Sequence, residues 1–266
     1  MNDGDAGRLT SSFSDFLRTE RPDLLPQATA WSSEVGHGTT ILALRYAEGV
    51  VMAGDRRGTE GFNIAQRDAE KVYPADSHSA VAIAGAFGPA VEMVRLFQTE
   101  LEYYEKVEGE SLTLPGKANH LSRMIRANLP AAMQGFVVLP LFAGYDTRKS
   151  QGRIYRYDVT GGSSEEEDFH SVGSGGSYAK SSLKKLYTRA EDIDRQRAIE
   201  IAVEALADAA EEDAATAGPD PVHGVYPTVF VVTESGVEEV GDDEVATVAN
   251  AVLARRTEAE AGRRTR

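Results

Sequence analysis

The sequence contains no cysteine, which excludes disulfides, thiolate metal sites and a cysteine nucleophile. Basic residues are few: 28 Lys and Arg stand against 42 Asp and Glu, a formal net charge of −14. That balance argues against nucleic acid and anionic membrane surfaces as partners. No apolar run approaches membrane-spanning length. The opening MNDGDAGRLTSSFSDFLRTERPDLLP lacks the basic start and apolar run of a signal peptide, so the expected location is the cytoplasm. The five histidines (His37, His78, His120, His170 and His223) are scattered without ligand spacing, and neither a metal nor a cofactor is expected. A Gly-x-Ser-x-Gly elbow is also missing, because GSGGS at 173–177 has the wrong spacing.

What is present is enough length and apolar content for a sizeable core, 266 residues of which 41% are hydrophobic. Residues 1–38 are polar, with one amphipathic patch at Phe13, Phe16 and Leu17, and read as a leader without a core of its own. At Thr39 the pattern changes. TTILALRY and GVVMAGD, joined through AEG, read as a hairpin, and KVYP and SAVAIAG as two further strands. The period turns helical in GPAVEMVRLFQTELEYYEKVEG, where Ala90, Val94, Phe97, Leu101 and Tyr104 share a face. A second helix is expected from Pro115 to Leu129, before Pro130. FVVLPLFAGYD and RIYRYDV return to strand, and Pro140 in the first predicts an edge strand or a bulge. The acidic GGSSEEEDF is expected as a loop. SVGSGGSYAKSSLKKLY reads as a glycine turn opening a helix, and DIDRQRAIEIAVEALADAAEED as a long helix capped by an aspartate. YPTVFVVTESGVEEV closes as a hairpin, and DDEVATVANAVLARR is a last helix before a polar C-terminal tail, 254–266. Helices arrive in pairs between groups of strands. That order fits poorly with a doubly wound parallel sheet and predicts the α+β class, with two antiparallel sheets carrying helix pairs outside them.

Without cysteine or a histidine cluster, the remaining nucleophiles are threonine and serine activated in another way. A threonine hydroxyl needs a base within hydrogen-bond reach. A free α-amino group on the same residue qualifies, since its ordinary pKa of about 7.7–8.0 leaves much of it neutral near pH 7. Thr39 acquires such a group only if the chain is cut after Gly38. Glycine suits that cut, because attack on the preceding carbonyl demands a cramped backbone.

Taken singly, the accompanying residues are ordinary. Asp55 reads as a turn residue, Arg57 as a solvated charge, Ser174 as a helix cap and Asp213 as a charge at a helix end. Lys71 reads as an exposed strand lysine, so that Lys71→Ala would leave the fold intact. Together they form a set. HGTTILAL sets a threonine behind a glycine. AGDRRGT supplies Asp55 and Arg57, 16 and 18 residues after Thr39, and EKVYP supplies Lys71, 32 after it. AIAGAFGPA, VGSGGSYA and EEDAATAG follow in order. From about Thr39 to about Leu253 these segments resemble the proteasome β-subunit family in its actinobacterial form, which is made as a precursor.

The resemblance implies a four-layer αββα sandwich of the N-terminal-nucleophile hydrolase fold and a threonine endopeptidase activity. Residues 1–38 would be a propeptide removed by autocatalysis at Gly38-Thr39, leaving a domain of residues 39–253. Thr39 would be the nucleophile, Lys71 held by Asp55 would tune the electrostatics, and the Gly85 amide would serve the oxyanion. Ser174 and Asp213 would orient the nucleophile, with Arg57 and Thr216 in support; Thr216 stands where the family usually has serine. By position the substrate pocket would comprise Gly58, Thr59, Ala69, Tyr73, Ile83, Phe87 and Val91. No charge appears among them, which predicts a chymotrypsin-like preference for apolar residues before the cut. Implied partners are other β-subunits in heptameric rings, rings of α-subunits at each end, and a hexameric ATPase ring feeding tagged substrates. Two rivals remain. A simpler two-ring bacterial threonine protease would have almost no leader, a shorter chain and a different Gly-Asp turn. A non-catalytic scaffold subunit would lack the Gly-Thr junction or the lysine.

Overall fold

A computed structural model describes residues 38–60 and 63–264; the leader, with Phe13, Phe16 and Leu17, lies outside the described residues. In chain order the strands are β1 (Thr40–Tyr46), β2 (Gly49–Gly54), β3 (Gly58–Glu60), β4 (Asn63–Gln66), β5 (Val72–Asp76) and β6 (Ser79–Gly85), then β7 (Val138–Asp146), β8 (Gln151–Tyr157), β9 (Ser163–Glu166), β10 (Phe169–Gly173), β11 (Thr228–Thr233) and β12 (Gly236–Glu239). The helices are α1 (Phe87–Glu108), α2 (Leu114–Ala127), the short α3 (Leu129–Ala132), α4 (Gly176–Leu186), α5 (Arg195–Glu212) and α6 (Asp242–Arg264).

Two five-stranded antiparallel sheets result, ordered β10-β1-β2-β11-β12 and β5-β6-β7-β8-β9. Period-two alternation explains why these strands are apolar almost continuously. In β1, Leu42 and Leu44 face helices α4–α6, while Ile41 and Ala43 face the other sheet. In β6, Val81 and Ile83 pack under α1 and α2, and Ala80, Ala82 and Ala84 turn inward. With both faces of both sheets covered, the layers run αββα, as the resemblance implied. The innermost layer is rich in alanine on the β6 side, which lets the sheets approach closely.

Capping follows the sequence signals. The Thr113 side chain accepts from the Gly116 N–H at the start of α2, and Asp194 accepts from Arg197 N–H at 2.8 Å to start α5. Four expectations need correction. Pro140 lies neither at an edge nor in a bulge: β7 is the central strand and its ladder with β6 has no register shift. The β7–β8 ladder begins only at Leu141, so the missing N–H of Pro140 faces beyond its end. GGSSEEEDF is not all loop. Its residues 163–166 form the edge strand β9, where Glu165 meets Arg153 and Glu166 meets Arg156, so charge that reads as solvated is paired across the sheet. The second helix ends at Ala127, and Pro130 sits inside α3, where a first-turn proline lacks no needed bond. The C-terminal tail is helical as far as Arg264, because Arg255 and Arg256 pair with acidic residues of α5. The short β3–β4 hairpin, exposed along β4, had no signal in the pattern.

Candidate active site

The predicted residues are drawn from both sheets. Thr39 immediately precedes β1, and Asp55 immediately follows β2 in the same sheet. Lys71 immediately precedes β5 in the other sheet. Ser174 occupies the turn between β10 and α4, and Asp213 is the C-terminal cap of α5.

Asp55 is the hub. Its carboxylate is 1% exposed and accepts four donors. Thr40 N–H and Lys71 Nζ reach Oδ1, both at 2.7 Å, and the N–H groups of Arg57 and Ala217 reach Oδ2 at 2.9 and 3.0 Å. Four donors satisfy a buried carboxylate. Lys71 is 2% exposed, which corrects the surface-like position on which Lys71→Ala was expected to leave the fold intact. Its Nζ donates to Asp55 Oδ1, to the Arg57 carbonyl at 2.6 Å and to the Gly38 carbonyl at 3.4 Å. Three acceptors match the three protons of an ammonium. Burial pulls the lysine pKa below its ordinary value, and the Asp55 charge opposes that pull. Arg57 anchors the turn through a 2.7 Å bond to the Ala214 carbonyl.

On the other side of Thr39, its N–H donates to Ser174 Oγ at 3.3 Å, and Ser174 N–H donates to the Thr39 carbonyl at 2.9 Å. Ser174 Oγ donates to Asp213 Oδ2 at 2.6 Å, and Thr216 Oγ1 reaches the same oxygen at 2.7 Å. Burial would raise the Asp213 pKa, but the bonds from Ser174, Thr216 and Ala215 outweigh it and hold the carboxyl below its ordinary value. The Thr216 hydroxyl is thus engaged from both sides, by Asp213 and by Thr40.

The junction itself is tightly built. The Thr39 hydroxyl donates to the Gly38 carbonyl at 2.8 Å, and Gly38 N–H is held by Thr59 Oγ1 at 2.8 Å. Glycine is required at 38 for lack of room, not for an unusual φ: a Cβ there would lie 2.0 Å from Ala215 Cβ and 2.6 Å from its carbonyl oxygen. Gly85 ends β6 with φ +108, and a Cβ would fall 2.1 Å from the Val137 carbonyl. Ile83 N–H donates to the Lys71 carbonyl at 2.9 Å. Strand alternation turns the Gly85 N–H to the same edge of β6, past Lys71.

The pocket positions divide. Tyr73, Phe87 and Val91 line one cleft of about 470 Å³. Ile83, Thr59 and Ala69 are buried, and Gly58 begins the β3–β4 hairpin. The assigned positions are uncharged, but the cleft also carries Arg56, Asp68, Glu70 and Arg95, so its walls hold charge of both signs. Thr59, expected only as a pocket residue, is the anchor of Gly38, and Thr40, whose backbone and side chain touch both halves of the site, had no sequence signal of its own. Among the described residues no group of three or more His, Asp or Glu could hold a metal ion, and no helix is long and apolar enough to cross a membrane.

A family model described as proteasome subunit matches residues 35–221, a span that includes all of these side chains. The proteasome subunit beta of Frankia alni is 50% identical over 271 residues, covering 97% of this chain and 98% of that one. That of Streptomyces griseus is 50% identical over 260 residues, 96% and 92% of the two chains. That of Acidothermus cellulolyticus is 52% identical over 255 residues, 92% and 87%. With a family model matching residues 35–221 and relatives about 50% identical over nearly its full length, the chain belongs to the proteasome subunit family, among its β-type members.

Proposed function

We propose that Thr39 serves twice, first to cut the chain at Gly38-Thr39 and then, with its freed amine, as the nucleophile of a threonine peptidase. The observation that carries this reading is the Thr39 hydroxyl, 2.8 Å from the carbonyl of the bond to be cut, with the Lys71–Asp55 pair on one side and Ser174–Asp213 on the other. In the first event Thr39 Oγ1 attacks the Gly38 carbonyl carbon and gives up its proton to water. The C–N bond breaks, the nitrogen takes a proton, and an ester between Gly38 and Thr39 remains for water to hydrolyse. Residues 1–38 leave as the propeptide, and Thr39 keeps a free amine.

In the second event that amine takes the proton of its own hydroxyl, directly or through a water, and the oxygen attacks a substrate carbonyl. The Gly85 amide and the Thr39 backbone stabilise the oxyanion. The lysine charge lowers the proton affinity of the neighbouring amine and hydroxyl, Asp55 and Arg57 hold the lysine, and Ser174, Asp213 and Thr216 orient the amine. The leaving amine is protonated by the Thr39 ammonium, and water then hydrolyses the acyl ester. Tyr73, Phe87 and Val91 receive an apolar side chain before the cut; a peptide library in which Arg or Lys is preferred there would overturn this. The wider setting is a cytoplasmic core particle with heptameric β rings, α rings at the ends and an ATPase ring feeding substrates.

Mass spectrometry of the purified particle tests the central claim. Wild-type subunit should begin at Thr39, whereas Thr39→Ala should retain residues 1–38 and cleave no peptide. Thr39→Ser should process and turn over, losing only a methyl group. A wild-type subunit of full length that still cleaves peptides would refute the mechanism.

A further inference from the structure

Thr40 sits where both halves of the site meet, yet the mechanism above gives it no role. Its backbone N–H holds Asp55 Oδ1 at 2.7 Å and its carbonyl accepts Asp55 N–H at 3.0 Å. Its hydroxyl turns the other way, 2.6 Å from Thr216 Oγ1. The residue is 0% exposed, so neither contact is shared with solvent.

We propose that Thr40 is a positioning residue for the reaction: its hydroxyl starts a directional chain of hydrogen bonds, buried at its Thr40–Thr216 end, that aims Ser174 at the Thr39 amine. The inference rests on the reading of Thr39 as nucleophile. Direction follows from proton counting. An ionised carboxylate only accepts, so Asp213 Oδ2 takes the proton of Thr216 Oγ1 at 2.7 Å and that of Ser174 Oγ at 2.6 Å. The Thr216 hydroxyl has one proton and has spent it. In the Thr40–Thr216 contact, therefore, Thr40 donates and Thr216 accepts. Ser174 has likewise spent its proton, so its lone pair faces Thr39 and receives its peptide N–H, 3.3 Å away, from the nitrogen that becomes the amine once the chain is cut. Held through an N–H, the amine keeps its own lone pair for the hydroxyl proton. A donor that reaches Thr216 also strengthens the bond Thr216 makes to Asp213, since linked hydrogen bonds polarise one another.

The packing above the pair fits this purpose. Gly175 lies over the two hydroxyls, and a Cβ there would come 2.4 Å from Thr40 Oγ1, 2.7 Å from Thr216 Oγ1 and 3.2 Å from Asp213 Oδ2. The glycine turn of VGSGGSYA thus leaves room for the relay as well as for Ser174.

Purified, assembled particle carrying Thr40→Val tests the claim, because valine keeps the shape and removes the donor. Peptide hydrolysis should show kcat reduced about fivefold with KM within about twofold, the loss of one buried hydrogen bond felt in the chemical step. Thr40→Ser should restore kcat to near wild type. Adding Thr40→Val to Thr216→Val should cost nothing more than Thr216→Val alone, since the two act in series. Wild-type kcat in Thr40→Val, failure of serine to rescue, or additive losses would each overturn the inference. If Thr40→Val yields no folded subunit, Thr40→Cys carries the test. Its thiol is a weaker donor, so its kcat should fall below that of Thr40→Ser, and equality would overturn the proposal. Thr39→Ala in parallel separates the premises: wild-type activity that survives Thr39→Ala refutes the nucleophile reading, whereas wild-type kcat in Thr40→Val with a dead Thr39→Ala refutes only the relay.

Discussion

Lys71 and Gly38 show how side-chain environment redefines what a substitution should do. Because Lys71 is buried against Asp55, Lys71→Met removes the cation from a carboxylate that cannot reach water. The remaining N–H donors from Thr40, Arg57 and Ala217 soften the loss, so the low end of the usual range, about 3 kcal/mol, is expected. Thermal unfolding reads that cost, and peptide hydrolysis should be lost with it; an unchanged melting temperature would contradict the buried-pair account. Gly38→Ala should slow removal of residues 1–38, since its methyl would strike Ala215. Ala215→Gly in the same chain should restore processing only in part, because the backbone atoms of residue 215 remain 2.6 and 2.7 Å from the added carbon. Gel analysis of precursor and product over time would show whether the order wild type, double variant, Gly38→Ala holds.

At the level of elements, β10 carries a half-buried titratable group that lies outside the catalytic set. His170 is flanked by Lys180 from α4, whose Nζ lies 3.3 Å from Nδ1, and by Glu166 at 3.5 Å from β9, with Arg156 of β8 behind it. Burial, then the Lys180 charge, bring its pKa down to about 4. The unfolded chain protonates this histidine near its ordinary value of about 6.5 while the folded chain does not. The contribution is therefore complete above about pH 6.5 and is lost as the pH falls from there toward 4. Denaturant unfolding should show stability rising with pH through that window, and His170→Gln should flatten the rise; an unaltered slope would remove His170 from the account. Pro140 and β9 carry a related lesson. A proline in a central strand and a run of acids in an edge strand both contradict local rules, and both are resolved by where a ladder ends or which arginine lies opposite.

For the molecule as a whole, the spacing of the two sheets sets the site, because Lys71 arrives from one and Thr39 and Asp55 from the other. Ala80, Ala82, Ala84 and Ala143 put small side chains into the inter-sheet layer. Ala82→Leu should overpack it at a cost of about 1–3 kcal/mol. Forcing the sheets apart lengthens the Lys71–Asp55 contact, so kcat should fall by more than the same stability loss imposed on the helical side, for example by Leu206→Ala in the cluster under α4–α6. Equal kcat at matched stability would show that sheet spacing does not govern the site.

By itself, the sequence determined the α+β class, the pairing of helices, most element boundaries and the order of the motif segments, because these rest on local periodicity, caps and spacing. Tyr73, Phe87 and Val91 could be named by position as one pocket, but the charges of Arg56, Asp68, Glu70 and Arg95 around their cleft could not. Only the tertiary structure decided that Lys71 is buried, that Gly38 is hemmed in by Ala215, that Thr59 holds the junction and that Thr40 joins the two arms of the site. Each of those facts is a contact between segments far apart in the chain, 16 residues for Asp55 with Lys71 and 176 for Thr40 with Thr216. Local pattern carries no record of such distances: a residue's spacing says which face it takes, whereas its protonation, its room and its partners come from whatever the fold brings opposite.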